Sequence, residues 1–162
     1  MSQNSISPAR PVTAADVPKR ISSSYPEPLV QRVAGREKQG LGDLFGLTQF
    51  GVNLVTLQPG SESALRHWHT QEDEFVYMLS GELTLITDAG TNTLRAGQCI
   101  GFKGGVRDAH HLVNRGEAPG SFLVIGSRIA GDNGFYPDDD LLWVECPDEV
   151  LPAHKDGSFY PR

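Results

Sequence analysis

Cysteine is scarce in this chain: Cys99 and Cys146 stand apart, and neither belongs to a CxxC pair. That rules out a disulfide framework or a thiolate zinc site as the organising feature, and both residues read as ordinary semi-buried thiols. Cationic excess is missing too. Lys and Arg total 14 against 20 Asp and Glu, a formal charge of −6, so no basic face is available to displace counterions from a nucleic-acid backbone. No apolar run approaches the roughly 20 residues that a membrane helix needs. The opening segment MSQNSISPARPVTAADVPKR lacks the hydrophobic stretch of a secretion signal. The expected setting is cytoplasmic, with a small molecule as partner and neither nucleic acid nor membrane. A sustained 3.6-residue apolar stripe is also absent, so helix content should be low.

Turn-forming residues, by contrast, are plentiful, with 18 glycines and 11 prolines among 162 residues. A chain of this length has room for one domain. Residues 1–26 are polar and carry Pro8, Pro11, Pro18 and Pro26, which predicts an extended or disordered arm. Residues 27–148 read as a single β domain and 149–162 as a polar tail. Strand-length apolar runs fall at Thr48–Leu57, Ala64–His69, Glu74–Leu79, Glu82–Thr87, Thr91–Arg95, Gln98–Phe102, His110–Asn114 and Phe122–Ser127, with a further candidate at Leu141–Cys146. Turn residues at 59–61, 80–82, 88–90 and 115–120 separate them, the rhythm of an antiparallel sandwich or barrel. The acids Asp138, Asp139 and Asp140 are expected in a solvated turn. In Glu74–Leu79, Val76 and Met78 share the face of Glu74, while Phe75, Tyr77 and Leu79 share the other. Both faces are apolar, so the outer one should be covered, preferably by a second copy in a homodimer.

The histidines cluster in two short segments, Arg66-His67-Trp68-His69-Thr70 and Ala109-His110-His111-Leu112. On a strand His67 and His69 point the same way, and an antiparallel neighbour can bring Glu74 beside them. His110 and His111 must face opposite sides, so only one can join the group. Three neutral imidazoles and a carboxylate suit one divalent transition metal (Zn, Mn, Fe, Co, Ni or Cu), whereas Ca and Mg favour oxygen ligands. Taken alone, the HxH pair reads more simply as exposed strand residues.

The longer pattern changes that balance. GSESALRHWHTQEDEFVYMLSG at 60–81 and GQCIGFKGGVRDAHHLVN at 97–114 together resemble the two signature motifs of the cupin superfamily. The match rests on the HxH pair, the spacing to Glu74 and Gly81, and the H-x-x-x-N ending at Asn114. YPDDDL and HKDG near the C-terminus resemble a group of bacterial single-domain cupins. The resemblance implies an all-β fold, the cupin-type double-stranded β-helix or conical jelly-roll barrel, here with extended N- and C-terminal arms. It also implies metal ligation by His67, His69, Glu74 and His110. His110 is preferred to His111 because it keeps the spacing to Asn114, although Lys103 stands where a proline is usual and the loop before His110 is longer. Gly60, Gly81 and Gly97 are expected at positive φ, and Asn114 is expected to orient the second motif through a backbone hydrogen bond.

Fold alone does not fix a reaction. The favoured reading is a metal-dependent isomerase acting on a small sugar or sugar phosphate, with Lys103 and Arg107 as substrate-binding candidates. Arg66 is a third cation near the site, but it alternates with the histidines and should point away. Two alternatives are an Fe-dependent dioxygenase and a non-catalytic cupin that binds or senses a small molecule.

Overall fold

Alternation of side chains along each strand decides which residues reach the interior. The computed structural model describes residues 10–161. Its strands are β1 (Arg36–Gly40), β2 (Phe50–Leu57), β3 (Trp68–His69), β4 (Glu74–Ser80), β5 (Glu82–Thr87), β6 (Gly90–Arg95), β7 (Cys99–Phe102), β8 (His111–Val113), β9 (Gly120–Ser127), β10 (Gly134–Phe135), β11 (Leu142–Glu145) and β12 (Val150–Ala153). Helix is confined to one turn, α1 (Leu41–Leu44), and two short 3-10 turns at Ala14–Asp16 and Leu29–Val33. Among the described residues no helix is long and apolar enough to cross a membrane.

The largest sheet runs β1-β2-β9-β4-β7 and the second β6-β5-β8, with two-stranded sheets of β10-β3 and β11-β12 beside them. Isolated bridges extend the second sheet, pairing Glu62 with Val113 and His67 with His110, and β3 in turn pairs with β10. Every pairing is antiparallel. The two larger sheets close on a core that includes Val55, Leu57, Val76, Met78, Leu83, Leu85, Leu112 and Phe122. Each such buried side chain contributes about 1.5–3 kcal/mol. Val55, Val76, Leu85, Leu112 and Phe122 of this core also line the cavity into which the histidines project.

Gly81 has φ 74°, and a Cβ there would lie 2.8 Å from the Pro119 carbonyl oxygen, so the turn after β4 admits no side chain. Gly60 and Gly97 also have positive φ, at 82° and 85°. Asn114 is completely buried. Its Nδ2 donates to the carbonyls of Leu57 and Ala118 at 2.8 and 2.9 Å, and its Oδ1 accepts from the Gly116 amide at 3.0 Å. The second motif is thereby tied to the end of β2.

The segments outside the repeating strands are fastened to the barrel. Arg20 forms an antiparallel bridge with Lys38, so part of the N-terminal arm acts as one more edge strand beside β1. Residues 150–153 pair with β11, and Ala153 bridges Phe159. Tyr25, Tyr136, Leu141, Trp143 and Tyr160 pack with Leu65 in a second apolar cluster. The solvated turn expected at 138–140 holds for Asp138 and Asp140, which are exposed, and is corrected for Asp139. Asp138 binds Arg66, Asp139 is buried and takes Arg32 at 2.7 Å, and Asp140 accepts from the Lys155 amide at 2.7 Å. Three acids in a row here serve three separate cationic or amide donors, an arrangement that only non-local packing provides.

Arg32 also holds Glu62 at 2.8 Å, joining the 3-10 turn at 29–33 to both motif and C-terminal segments. Burial alone would raise the Glu62 carboxyl, but hydrogen bonds from His111 and Arg32 outweigh it and hold the group below its ordinary value. Arg32→Met should cost about 2 kcal/mol in denaturant unfolding at neutral pH. A carboxyl with a depressed folded pKa stabilises above its unfolded pKa and loses that contribution as pH falls through the folded one. The gap between wild type and variant should therefore narrow as pH drops below the ordinary glutamate range.

Candidate metal centre

The backbone gathers His67, His69 and Glu74 into one cluster and sets His110 beside it. The bridge between His67 and His110 uses two hydrogen bonds, His110 N to His67 O at 2.8 Å and His67 N to His110 O at 3.2 Å. Opposed residues in such a pair share a face, and their ring centroids lie 5.4 Å apart. His69, two residues on from His67, brings its Nε2 within 3.2 Å of the His67 Nε2. Glu74 opens β4 across the barrel, and its Oε1 lies 3.7 Å from the His110 Nε2. His67, His69 and Glu74 offer ligand atoms that all lie within 4.8 Å of one another, so they could hold a metal ion.

Each imidazole is oriented by its other nitrogen. The Nδ1–H of His67 donates to the Leu65 carbonyl at 2.8 Å, and that of His110 to the Asp108 carbonyl at 3.0 Å. The Nδ1–H of His69 donates to Asp132 at 2.6 Å. A carbonyl can only accept, so in each neutral ring the proton sits on Nδ1 and Nε2 presents a bare lone pair. Burial pushes the His67 imidazole down to about 4, so it is neutral at pH 7. The Nε2 atoms of His67 and His69 face each other at 3.2 Å, and among the described residues the buried His110 Nε2 has no hydrogen-bond partner. Burial by itself would raise Glu74, but His110, His67 and His69 reverse that effect and hold it below its ordinary value. A cation at the centre relieves this repulsion, and the donor set fits a borderline transition metal. Phe102 lies flat against the His110 ring, with centroids 3.4 Å apart, and Tyr136 stacks on His67 at 5.6 Å. Both narrow the freedom of the imidazoles.

His111 turns the other way, its Nδ1 near the Ala64 carbonyl at 3.0 Å and Glu62 at 3.2 Å. Arg66 is held by Asp138, Asp88 and the Ala109 carbonyl, and Arg107 lies 5.7 Å over the Trp68 ring. Lys103 lines a cavity of about 230 Å³ together with Trp68, Val106 and three of the site residues, His69, Glu74 and His110. A cavity of about 520 Å³ opens on His67, His69, Glu74 and His110, and neither Lys103 nor Arg107 lines it. Its cations are Arg20, Arg36, Lys38 and Arg128, none of which the motifs contain.

Asp132 is another residue that motif spacing misses. Besides His69 it accepts from Thr70 Oγ1 at 3.1 Å and from the amides of Gln71 and Glu72 at 2.8 and 3.1 Å, clamping the loop between His69 and Glu74. Burial tends to raise this carboxyl, but those donors keep it low. Its only sequence signal is the turn-like Gly131-Asp132-Asn133-Gly134.

A family model described as a cupin domain matches residues 53–126. The crystal structure of a cupin-superfamily sugar phosphate isomerase from Silicibacter pomeroyi DSS-3 is 39% identical, covers 94% of this chain and 97% of its own, and superposes with a TM-score of 0.87. A protein from Acidithiobacillus ferrooxidans ATCC 23270, provisionally named a sugar phosphate isomerase, is 31% identical over 80% of this chain and 83% of its own, with a TM-score of 0.68. The polyketide cyclase RemF from Streptomyces resistomycificus shares the fold at 23% identity, covering 74% of this chain and 79% of its own, with a TM-score of 0.61. No curated protein matches. The chain belongs to the cupin superfamily.

If the four residues hold a metal, added Zn, Mn, Fe, Co, Ni or Cu should raise the melting temperature of metal-stripped protein. His67→Ala and Glu74→Ala should abolish both the shift and the metal content. Asp132→Ala should lower metal affinity about 10- to 100-fold, the usual effect of removing a carboxylate that orients a ligand histidine. Equilibrium dialysis with elemental analysis checks all three variants.

Proposed function

We propose that this protein is a metal-dependent isomerase acting on a small sugar or sugar phosphate. The observation that carries the reading is the convergence of three imidazole lone pairs and Glu74 on a cavity of about 520 Å³, a size suited to a small ligand. The 39% identity to a sugar phosphate isomerase, sustained over nearly the whole of both chains, supports it. The likenesses below 25% identity speak only to the fold, which hosts unrelated chemistries.

A divalent metal on His67, His69, Glu74 and His110 would supply Lewis-acid polarisation of a sugar carbonyl or hydroxyl. The protein's own part is orientation and proton movement. Glu72 lines the same cavity, and its Oε1 accepts from the Ile129 amide at 2.7 Å. That bond fixes the carboxylate while Oε2 keeps its acceptor capacity, so Oε2 is the atom assigned to move the substrate proton. Asp132 and the carbonyls of Leu65 and Asp108 keep the imidazoles in the tautomer a metal requires.

The homodimer belongs to the same reading. Phe75, Tyr77 and Leu79 remain about 40% exposed on the outer face of β4, opposite Ile125 and Leu123 of β9. A second copy would cover this face, and sedimentation should give twice the chain mass.

The test is an isomerisation assay on short aldose and ketose sugars and their phosphates after elemental analysis of untagged protein. Turnover should vanish on chelation and return with a divalent metal. Glu72→Gln should lower kcat by about 10²- to 10⁴-fold with metal content intact. Stoichiometric Fe with oxygen consumption and no isomerisation would instead establish a dioxygenase, and ligand binding without turnover would establish a binding module.

A further inference from the structure

The histidine-lined cavity also carries a cluster of cations, Arg20, Arg36 and Lys38, whose origin lies in β1. The sequence Arg36-Glu37-Lys38-Gln39-Gly40 alternates, so Arg36 and Lys38 share one face and Glu37 and Gln39 the other. The outward pair is fully employed. Glu37 takes Lys19 at 2.7 Å, and Gln39 Nε2 donates to the carbonyls of Ala14 and Val17 at 2.8 and 2.6 Å. Those contacts pin the arm along the strand. Arg20 is thereby set directly opposite Lys38 through two backbone hydrogen bonds of 2.8 and 2.9 Å.

Three cations consequently line one cavity wall. Like charges placed opposite each other across a strand pair are destabilising, and a structure normally answers them with carboxylates. Here Asp43 and Glu74 act on Lys38 through space, but neither forms an ion pair with this wall. Among the described residues the side-chain nitrogens of Arg20 and Lys38 have no hydrogen-bond or ion-pair partner, and Arg36 donates only to the Ser63 carbonyl at 2.7 Å. Arg128, the fourth cation of the cavity, is spent on Asp43 at 2.5 Å and the Leu47 carbonyl at 2.9 Å. Burial and repulsion from Arg20 and Arg36 push the Lys38 ammonium below its ordinary value, outweighing the attraction of Glu74 and Asp43. The same three cations border an outer cleft floored by Ser22, Ser23 and Ser24, so they stand where the cavity meets solvent.

We propose that Arg20, Arg36 and Lys38 form an oxyanion subsite for the charged end of a short sugar derivative, a phosphate ester or a carboxylate, whose other end reaches the histidine centre. The proposal rests on the isomerase reading for what happens at that centre, but not for the binding of the anion. Two guanidinium forks and one ammonium match a group with several charged oxygens. The N-terminal arm, through Arg20, is then part of the binding site, and a neutral sugar of the same length lacks the group this wall receives.

Thermal shift and calorimetry on the full chain test this with inorganic phosphate, a pentose 5-phosphate, the matching sugar acid and the neutral pentose. Phosphate and the sugar phosphate should raise the melting temperature of the wild type, and the neutral sugar should bind at least tenfold more weakly. Lys38→Met and Arg20→Gln should each weaken the anion by roughly tenfold or more, the worth of one charged hydrogen bond. Metal content should be unchanged, and without anion Lys38→Met should be at least as stable as the wild type because a repulsion is gone. A preference for the sugar acid over the sugar phosphate would assign the carboxylate, and the reverse the phosphate. Anion binding that is absent, or equal in wild type and both variants, overturns the subsite even if the centre binds metal. Anion binding with this variant pattern, in protein that takes no metal, leaves the subsite standing and removes the isomerase reading.

Discussion

The His67 and His69 imidazoles turn their Nε2 atoms towards each other at 3.2 Å, with the His110 ring beside His67, and the architecture around them is what enforces that crowding. Two of the rings are fixed by backbone carbonyls and the third by Asp132, none of which can yield a proton to Nε2. Rotating one ring away would forfeit its Nδ1 hydrogen bond inside a buried site, at a cost of about 1–3 kcal/mol. Holding the rings together without a cation also costs free energy. The geometry is a local conflict built into an otherwise consistent fold, and such conflicts mark functional positions.

The barrel divides this work within its interior. Part of it is a conventional apolar core, where Leu57 and Met78 are wholly buried; part carries the polar centre. β4 contributes to both, placing Glu74 at the site and Val76 and Met78 in the core on the same face. The outer segments complete the wall. Tyr136 stacks on His67 and accepts from the Trp143 indole at 3.0 Å, while Tyr25 meets Tyr136 edge-on at 6.1 Å. Residues from the arm and from the C-terminal segment thus press on a ring that the central strands alone would leave open to solvent.

How much of this could be read from the sequence follows from the range of the interactions involved. Strand positions, the shared face of His67 and His69, and the opposed faces of His110 and His111 depend on period-two alternation, which is local and therefore legible. Asn114 was legible by its spacing. β1 was not, because Arg-Glu-Lys-Gln-Gly contains no apolar residue and reads as a surface loop; its inward face is polar since it lines a cavity, not the core. Asp132 acts on His69 from 63 residues away, beyond any motif. Asp139 looked like one of three solvated acids because its partner Arg32 lies 107 residues earlier.

The same contrast bears on what distinguishes one cupin from another. A ligand set of the type His67, His69, Glu74 and His110 is written into the motifs that define the fold, so it cannot by itself tell a sugar isomerase from any other metal-binding barrel. The discriminating information has to lie on the part of the cavity wall that β1 and the arm build from residues outside both motifs. A strand with two inward cations gains from its pairing with β2, but setting like charges side by side works against it. Its composition makes physical sense as a surface shaped for something that enters the cavity carrying negative charge.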